Sequence, residues 1–241
     1  MSAFDPNAPT STPLALLKLQ LHAGFTFDKA GRMLAVNEYG FPAAPRFFLG
    51  RTLEGNLLAL RHALPPDLVA QLQGLVAREP VATDLREPAQ CTAAVTEALG
   101  RHAPVDKVYR GPEYAILGEI PEPSNATLIT PANATLLHPG FATLVPELAD
   151  RQPCFSTVVD DRAVSVCYSS RNGPRAAAAG VETIAEYRGK GNATNATAAW
   201  AFAVRAEGRQ PLYGTTWDNL ASQAIARHMN ATLFSESWHI A

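Results

Sequence analysis

One segment constrains this chain more than any other: Val181-Glu182-Thr183-Ile184-Ala185-Glu186-Tyr187-Arg188-Gly189-Lys190-Gly191-Asn192-Ala193. It reads as a strand that ends, a glycine-bearing loop that turns, and a helix that begins. Glycines let backbone N–H groups converge on an anion without a side chain intervening. The helix N-terminus adds its dipole and its unpaired donors, so the element suits a pyrophosphate. Taken alone, Arg188-Gly189-Lys190-Gly191 reads equally well as a basic surface turn. The loop matches neither the nucleotide P-loop spacing nor the G-x-G-x-x-G dinucleotide fingerprint.

The surroundings of the segment alternate strand and helix. Strands are expected at Tyr114–Ile120 and Ala126–Thr130, with Pro121-Glu122-Pro123 between them. Thr130-Pro131 has the chemistry of a helix start and leads into Ala132–Leu148, broken at His138-Pro139-Gly140. Strands follow at Cys154–Val159, Ala163–Ser169 and Ala178–Ile184, then a helix from about Thr194 to Glu207 with Gly208 as its stop. The chain closes with a strand at Leu212–Thr216, a helix from Asp218 or Asn219 to about Met229, and a strand at Leu233–Ile240. Ahead of this lie a short helix at Leu14–His22, a hairpin at Phe25–Glu38 turning on Asp28 and Gly31, and helices from Pro66 towards Pro80 and over Ala89–Leu99.

In that context the loop resembles the acetyl-CoA signature of the GNAT superfamily of N-acetyltransferases, Arg/Gln-x-x-Gly-x-Gly/Ala, here Arg188-x-x-Gly191-x-Ala193. The stretch Leu212-Tyr213-Gly214-Thr215-Thr216-Trp217-Asp218-Asn219-Leu220-Ala221-Ser222 is similar to the family's next strand and helix, with Asn219 as its CoA-contacting asparagine. The resemblance covers Arg151–Ala241 well and Tyr114–Asp150 more loosely. It implies an α/β (α+β) fold: a twisted mixed sheet flanked by helices over residues 111–241. Residues 1–110 are then a mixed helix and strand region, a substrate-pocket subdomain or a degenerate copy of the same fold.

The resemblance further implies a V-shaped opening between the strands around Val181–Ile184 and Leu212–Thr216. Acetyl-CoA would lie there as co-substrate, held by Val181, Glu182, Thr183, Arg188, Gly189, Lys190, Gly191, Asn192, Ala193, Asn219 and Ser222. The acceptor would be a primary amine of a small molecule or peptide, attacking directly in a ternary complex. An ordinary amine is protonated near neutral pH, so a base is needed. Glu182 is the first candidate, on the expectation that burial beside the thioester raises its pKa. A solvent-facing carboxylate, or one paired with Arg171 or Arg175, is the other reading of the same residue. Tyr168 and Tyr213 are candidates to line the acceptor cleft. The sequence departs from the family where a tyrosine is common as acid: that position is Ala226. At the end of the same helix, Asn230 replaces the common glycine.

Composition limits the remaining classes. With 47% apolar and 17% charged residues the chain is globular, and a net charge of -2 without a basic block argues against nucleic acid. No apolar run is long enough to span a bilayer, and Met1–Pro13 has neither a basic start nor an apolar core for export. Cys91, Cys154 and Cys167 have no metal or redox spacing, so we expect no metal and a reducing cytoplasm. Self-association as a homodimer is left open. Two rival functions stand beside the enzyme: a non-catalytic acyl-CoA sensor, and a ligand-sensing module in which the Phe27–Asn37 hairpin resembles the opening of a PAS domain. Five Asn-Ala-Thr triplets, at Asn125, Asn133, Asn192, Asn195 and Asn230, are formal glycosylation acceptors and read either as chance or as inserted sequons.

Overall fold

The computed structural model describes residues 12–241. Most of the polar stretch Met1–Pro13 therefore lies outside the described residues. The first helix, α1 (Pro13–Gly24), starts where Thr12 accepts a hydrogen bond from the Ala15 N–H at 3.3 Å and proline occupies the first turn. The hairpin β1 (Phe25–Phe27) and β2 (Met33–Val36) turns where Asp28 Oδ1 accepts from the N–H groups of Ala30 and Arg32, both at 2.8 Å. Gly31 supplies the left-handed residue there, with φ of 76°.

Next come β3 (Phe47–Arg51), β4 (Asn56–Leu60), α2 (Pro66–Val76), α3 (Thr92–His102), β5 (Val108–Ala115) and β6 (Ala126–Leu128). Two short 3-10 segments, Pro131–Leu137 and Ala142–Glu147, precede β7 (Cys154–Val159), β8 (Arg162–Asn172) and β9 (Ala176–Thr183). The chain ends with α4 (Asn192–Ala206), β10 (Gln210–Gly214), α5 (Leu220–His228) and β11 (Thr232–Ile240).

Apart from β1 and β2, the strands form one nine-stranded sheet in the order β4-β3-β11-β5-β10-β9-β8-β7-β6. Only β9 and β10 run parallel; the other pairs are antiparallel. The sheet is thus mixed and covered by helices on both faces. One face carries α1, whose Leu16, Leu17 and Leu21 pack with Phe48, Ala115, Ala176, Leu212 and partly Ala178. Leu17 fits because position 50 is glycine: a Cβ there would collide with its side chain. The opposite face carries α4 and α5: Trp200, Ala196, Ala201 and Val204 of α4, with Met229 just after α5, pack with Cys167 and Ala177. Trp200, fully buried, donates from Nε1 to Ser169 Oγ at 3.1 Å. Farther along that face, α2 and α3 cover Phe47, Leu49, Trp238 and Ile240.

The division at residue 110 expected from sequence falls inside β5, which pairs with β11 on one edge and β10 on the other. Sheet bonding is continuous across it. The ion-pair group of Glu236 with Arg51 (2.6 Å) and Arg110 ties the same regions together.

The asparagines of the repeated triplets do different local work. Asn133 closes the turn at Thr130, accepting its N–H at 2.8 Å and donating to the Leu128 carbonyl at 2.9 Å. Asn195 donates to Asn125 at 2.6 Å and to Thr157 at 3.1 Å. Asn230 is left-handed, with φ of 50°, where the sequence called for such a cap after α5. A glycan on the Nδ2 of Asn195, which leaves that atom one hydrogen, would remove one of the two bonds it makes.

Candidate functional site

The parallel pair at the centre of the sheet is short. Its register runs Gln210↔Ala176, Pro211↔Ala177 and Leu212↔Ala178, and stops there. Beyond that point Ala179–Thr183 of β9 pair only with β8, while Leu212–Gly214 of β10 pair only with β5. The two strands diverge and leave an opening between their C-terminal ends.

The divergence has a local cause. Gly111 in β5 lies directly under the Thr215 carbonyl, so close that a Cβ would overlap it. Tyr109 donates its hydroxyl to the same carbonyl at 2.8 Å, and the Thr215 N–H donates to Pro112 at 3.2 Å. These bonds draw the end of β10 towards β5 and away from β9.

On the α4 side the opening is bounded by the glycine loop. After the short 3-10 turn Ala185–Tyr187, Gly189 and Gly191 take φ of 72° and 80°, and Gly191 is the N-cap of α4. No side chain caps this helix, so its first-turn N–H groups are left for other acceptors. A Cβ at either glycine would meet nothing within 4 Å: the backbone conformation, not crowding, requires glycine there. Asn192 is the first helical residue rather than a cap, because Gly191 already makes the turn. Its Nδ2 donates to the Tyr187 carbonyl at 3.0 Å and braces the loop from inside. Arg188 and Lys190 are exposed, Arg188 donating to the Thr183 carbonyl at 3.3 Å and the Lys190 ammonium lying 5.2 Å from the Tyr187 ring. Ala193 follows in the first turn.

Across the opening, Asn219 caps α5 by accepting the Ser222 N–H at 3.0 Å, and Ser222 Oγ lies 2.7 Å from the Tyr213 hydroxyl. Burial pushes the Tyr213 phenol up to about 12. Ala226 is buried against Tyr114 and Tyr213, whose rings fill the space beside it.

Strand alternation sorts these groups by face. Val181 faces α4 and α5 with Ala177 and Ala179, and Thr183 follows two residues on. Ala178, Gly180 and Glu182 face the α1 side. There Tyr168 donates its hydroxyl to Glu182 Oε1 at 3.0 Å, and its ring lies over Gly180, where a Cβ would strike it. The burial expected to make Glu182 a base is absent: the side chain is exposed and edges the opening. Arg171, one of the two arginines expected to pair with it, is held by Glu38 instead.

A second carboxylate on that face escaped sequence reasoning. Glu113 of β5 sits opposite Gly214, whose missing Cβ makes room for the carboxyl group. It is 7% exposed and has no ion-pair partner among the described residues. Burial pushes it up to about 8, offset in part by Ser237, Gln20 and the field of Arg171. The available signal was a single acid within the otherwise strand-like Val108–Ile116, obscured by Gly111-Pro112 just before it. Of the cysteines, burial pushes Cys91 and Cys154 up to about 12 and Cys167 well above the usual thiol range, so none is a thiolate nucleophile. Among the described residues no three His, Cys, Asp or Glu side chains group to hold a metal, and no helix is long and apolar enough to cross a membrane.

No protein-family profile matches the chain, and no curated protein sequence matches it. Solved structures do resemble it. A GCN5-related N-acetyltransferase-like protein from Streptococcus suis aligns over 82% of this chain and 85% of its own, at 15% identity and a TM-score of 0.49. A GNAT-family structure from Novosphingobium aromaticivorans aligns over 56% of this chain and 65% of its own, at 17% identity and a TM-score of 0.46. A tandem GNAT protein from the clavulanic acid biosynthesis pathway aligns over 88% of this chain and 80% of its own, at 14% identity and a TM-score of 0.44. The chain therefore spans just under two thirds of the Novosphingobium protein. At these identities and scores the likenesses assign neither family nor activity.

Proposed function

We propose that the chain is an acetyl-CoA-dependent N-acetyltransferase acting on a primary amine. The observation that carries this is the coincidence of two features at one end of the sheet. The parallel pair of the nine-stranded sheet opens after Ala178 and Leu212, and a helix start without a side-chain cap, preceded by two left-handed glycines, adjoins that opening. An extended chain ending in a pyrophosphate needs both: unpaired strand edge for its amides, and converging N–H donors for its phosphates.

The residues fit such a ligand. Open space surrounds Gly189 and Gly191, the first turn of α4 has free donors, and Arg188 and Lys190 are exposed cations beside it. We assign the phosphates to Gly189–Ala193, the pantetheine arm to the free edge of Val181–Thr183, and a flanking contact to Asn219 and Ser222. Acetyl-CoA supplies an activated acyl thioester. The chain's contribution is to hold the acyl carbonyl against backbone donors of β9 and to admit the amine from the α1 side. Glu182, exposed and hydrogen-bonded by Tyr168, is suited to attract an approaching ammonium group at that mouth.

Calorimetric titration with acetyl-CoA tests the cofactor assignment, and free-thiol release across a panel of amines tests the chemistry. We expect binding in the micromolar range and amine-dependent release. Gly191→Trp should abolish binding while leaving the far-ultraviolet circular dichroism unchanged; unaltered affinity would refute the loop assignment. Binding with no release under any amine would favour the acyl-CoA sensor.

A further inference from the structure

We propose that Glu113, not Glu182, takes the proton from the incoming amine. The inference rests on the acetyl-transfer reading above and names a residue for it. Three observations converge on this side chain.

First, its position: β5 borders β10 at the lip of the opening, and the Glu113 carboxyl group occupies the space over Gly214. That face is opposite to the one carrying the start of α4 and the Asn219 cap. On the proposed binding mode, a ligand held from the α4 side would reach the Glu113 face where β9 and β10 part.

Second, its isolation. Three glutamates are buried among the described residues. Glu236 is neutralised by Arg51 and Arg110, and Glu79 accepts the N–H groups of Gln90 and Cys91 at 2.9 and 2.8 Å. Glu113 has no ion-pair partner among the described residues. A buried carboxyl group without a counter-charge is held in its neutral form, and a group so held beside an opening in the sheet is a candidate to take up and release a proton.

Third, its neighbours. Gln20 of α1 donates to Ser237 of β11 at 3.0 Å, yet the Gln20 Oε1 is buried with no partner. The charged and titratable groups coupled to Glu113 are Tyr109 on its own strand, Tyr114 beside it and Arg171 on β8, the last engaged by Glu38; His239 on β11 stacks on Tyr109. Burial holds Tyr109 protonated and pushes His239 down to about 4, so both are neutral near pH 7. An arriving ammonium would be the first cation to reach Glu113 directly.

The step balances as follows. The ammonium gives one proton to a Glu113 carboxylate oxygen, the freed nitrogen bonds to the acyl carbon, and the carbon–sulfur bond breaks. The bonding pair leaves on sulfur, which takes the second nitrogen proton and departs as thiol.

The test compares parent, Glu113→Gln, Glu113→Asp and Glu182→Gln by acetyl-CoA titration, thiol release against pH, and the infrared band of protonated carboxyl in the ligand-free protein. We expect Glu113→Gln to keep acetyl-CoA affinity within about twofold and to lose turnover by roughly 100-fold or more. The parent rate should rise with pH through about 8, a limb absent from the glutamine variant. Glu113→Asp should recover part of the rate, and Glu182→Gln should keep the limb. In the ligand-free parent, the carboxyl band should persist above pH 7 and vanish in Glu113→Gln. Turnover of Glu113→Gln within about twofold of the parent, or a carboxyl band lost below pH 6, would overturn the proposal. A parent that binds no acetyl-CoA would instead remove the acetyl-transfer reading, and this proposal with it.

Discussion

The two lips of the opening both depend on glycine pairs, for opposite physical reasons. On the β9 lip, Gly189 and Gly191 have left-handed φ and nothing near the place a Cβ would occupy. On the β10 lip, Gly111 and Gly214 have ordinary φ but no room: one lies under the Thr215 carbonyl, the other against the Glu113 carboxyl group. The first pair shapes a surface for a ligand; the second lets protein groups approach one another. A side chain added to the first pair therefore strains the backbone and obstructs a site. A side chain added to the second disturbs the sheet itself.

Substitutions at these four glycines sharpen the contrast. Gly111→Ala pushes a methyl group onto backbone, which cannot rotate away. We expect a loss of about 3 kcal/mol, read as a fall in Tm of roughly 6–12 °C for a chain of this size. Gly191→Ala should cost about 1–2 kcal/mol through its left-handed conformation, with a larger proportional loss in acetyl-CoA affinity. Gly214→Ala meets only the end of a flexible side chain, so stability should fall by about 1 kcal/mol or less. Turnover should nevertheless drop as Glu113 is displaced. If Gly111→Ala and Gly191→Ala lowered Tm equally and neither affected binding, the distinction between the lips would collapse. The smallest effect is a gain: Asn230→Gly relieves a left-handed asparagine and should raise stability by a few tenths of a kcal/mol in denaturant titration.

The same comparison has a pH signature. The folded-state pKa of Glu113 lies above its ordinary value, so the folded state keeps a proton that the unfolded chain releases from about pH 4.5 upward. Its contribution to stability is present below that pH and is lost progressively up to about 8. His239, depressed to about 4, acts in the opposite sense, adding stability as pH rises towards 6.5. The two offset each other in acid, and between about 6.5 and 8 only the Glu113 loss remains. Denaturation midpoints should decline across that window in the parent and stay flat in Glu113→Gln.

How much of this was legible in the sequence differs by element. The hairpin at Asp28–Gly31, the glycine loop and the helix starting at Asp218 or Asn219 were readable, because each is set by local chemistry: turn-forming Asp and Gly, glycines ahead of a helix, a polar residue ahead of an apolar helical pattern. The strands β3 and β4 were not. Phe47–Arg51 is buried on both faces, so the alternation that marks a half-exposed strand is missing. The start of β5 was hidden for a different reason: Gly111 and Pro112 read as breakers, whereas here they sit in a central strand to receive the Thr215 backbone.

Sequence by itself thus determined a glycine-bearing strand–loop–helix and a second helix starting at Asp218 or Asn219, since backbone preferences are properties of neighbouring residues. Only the tertiary structure decided which carboxylate is buried. Glu182 belongs to the motif yet faces solvent, while Glu113, 69 residues earlier, is desolvated by α1, β10 and β11 packing around it. Burial is a property of what folds against a residue, and no local pattern encodes it.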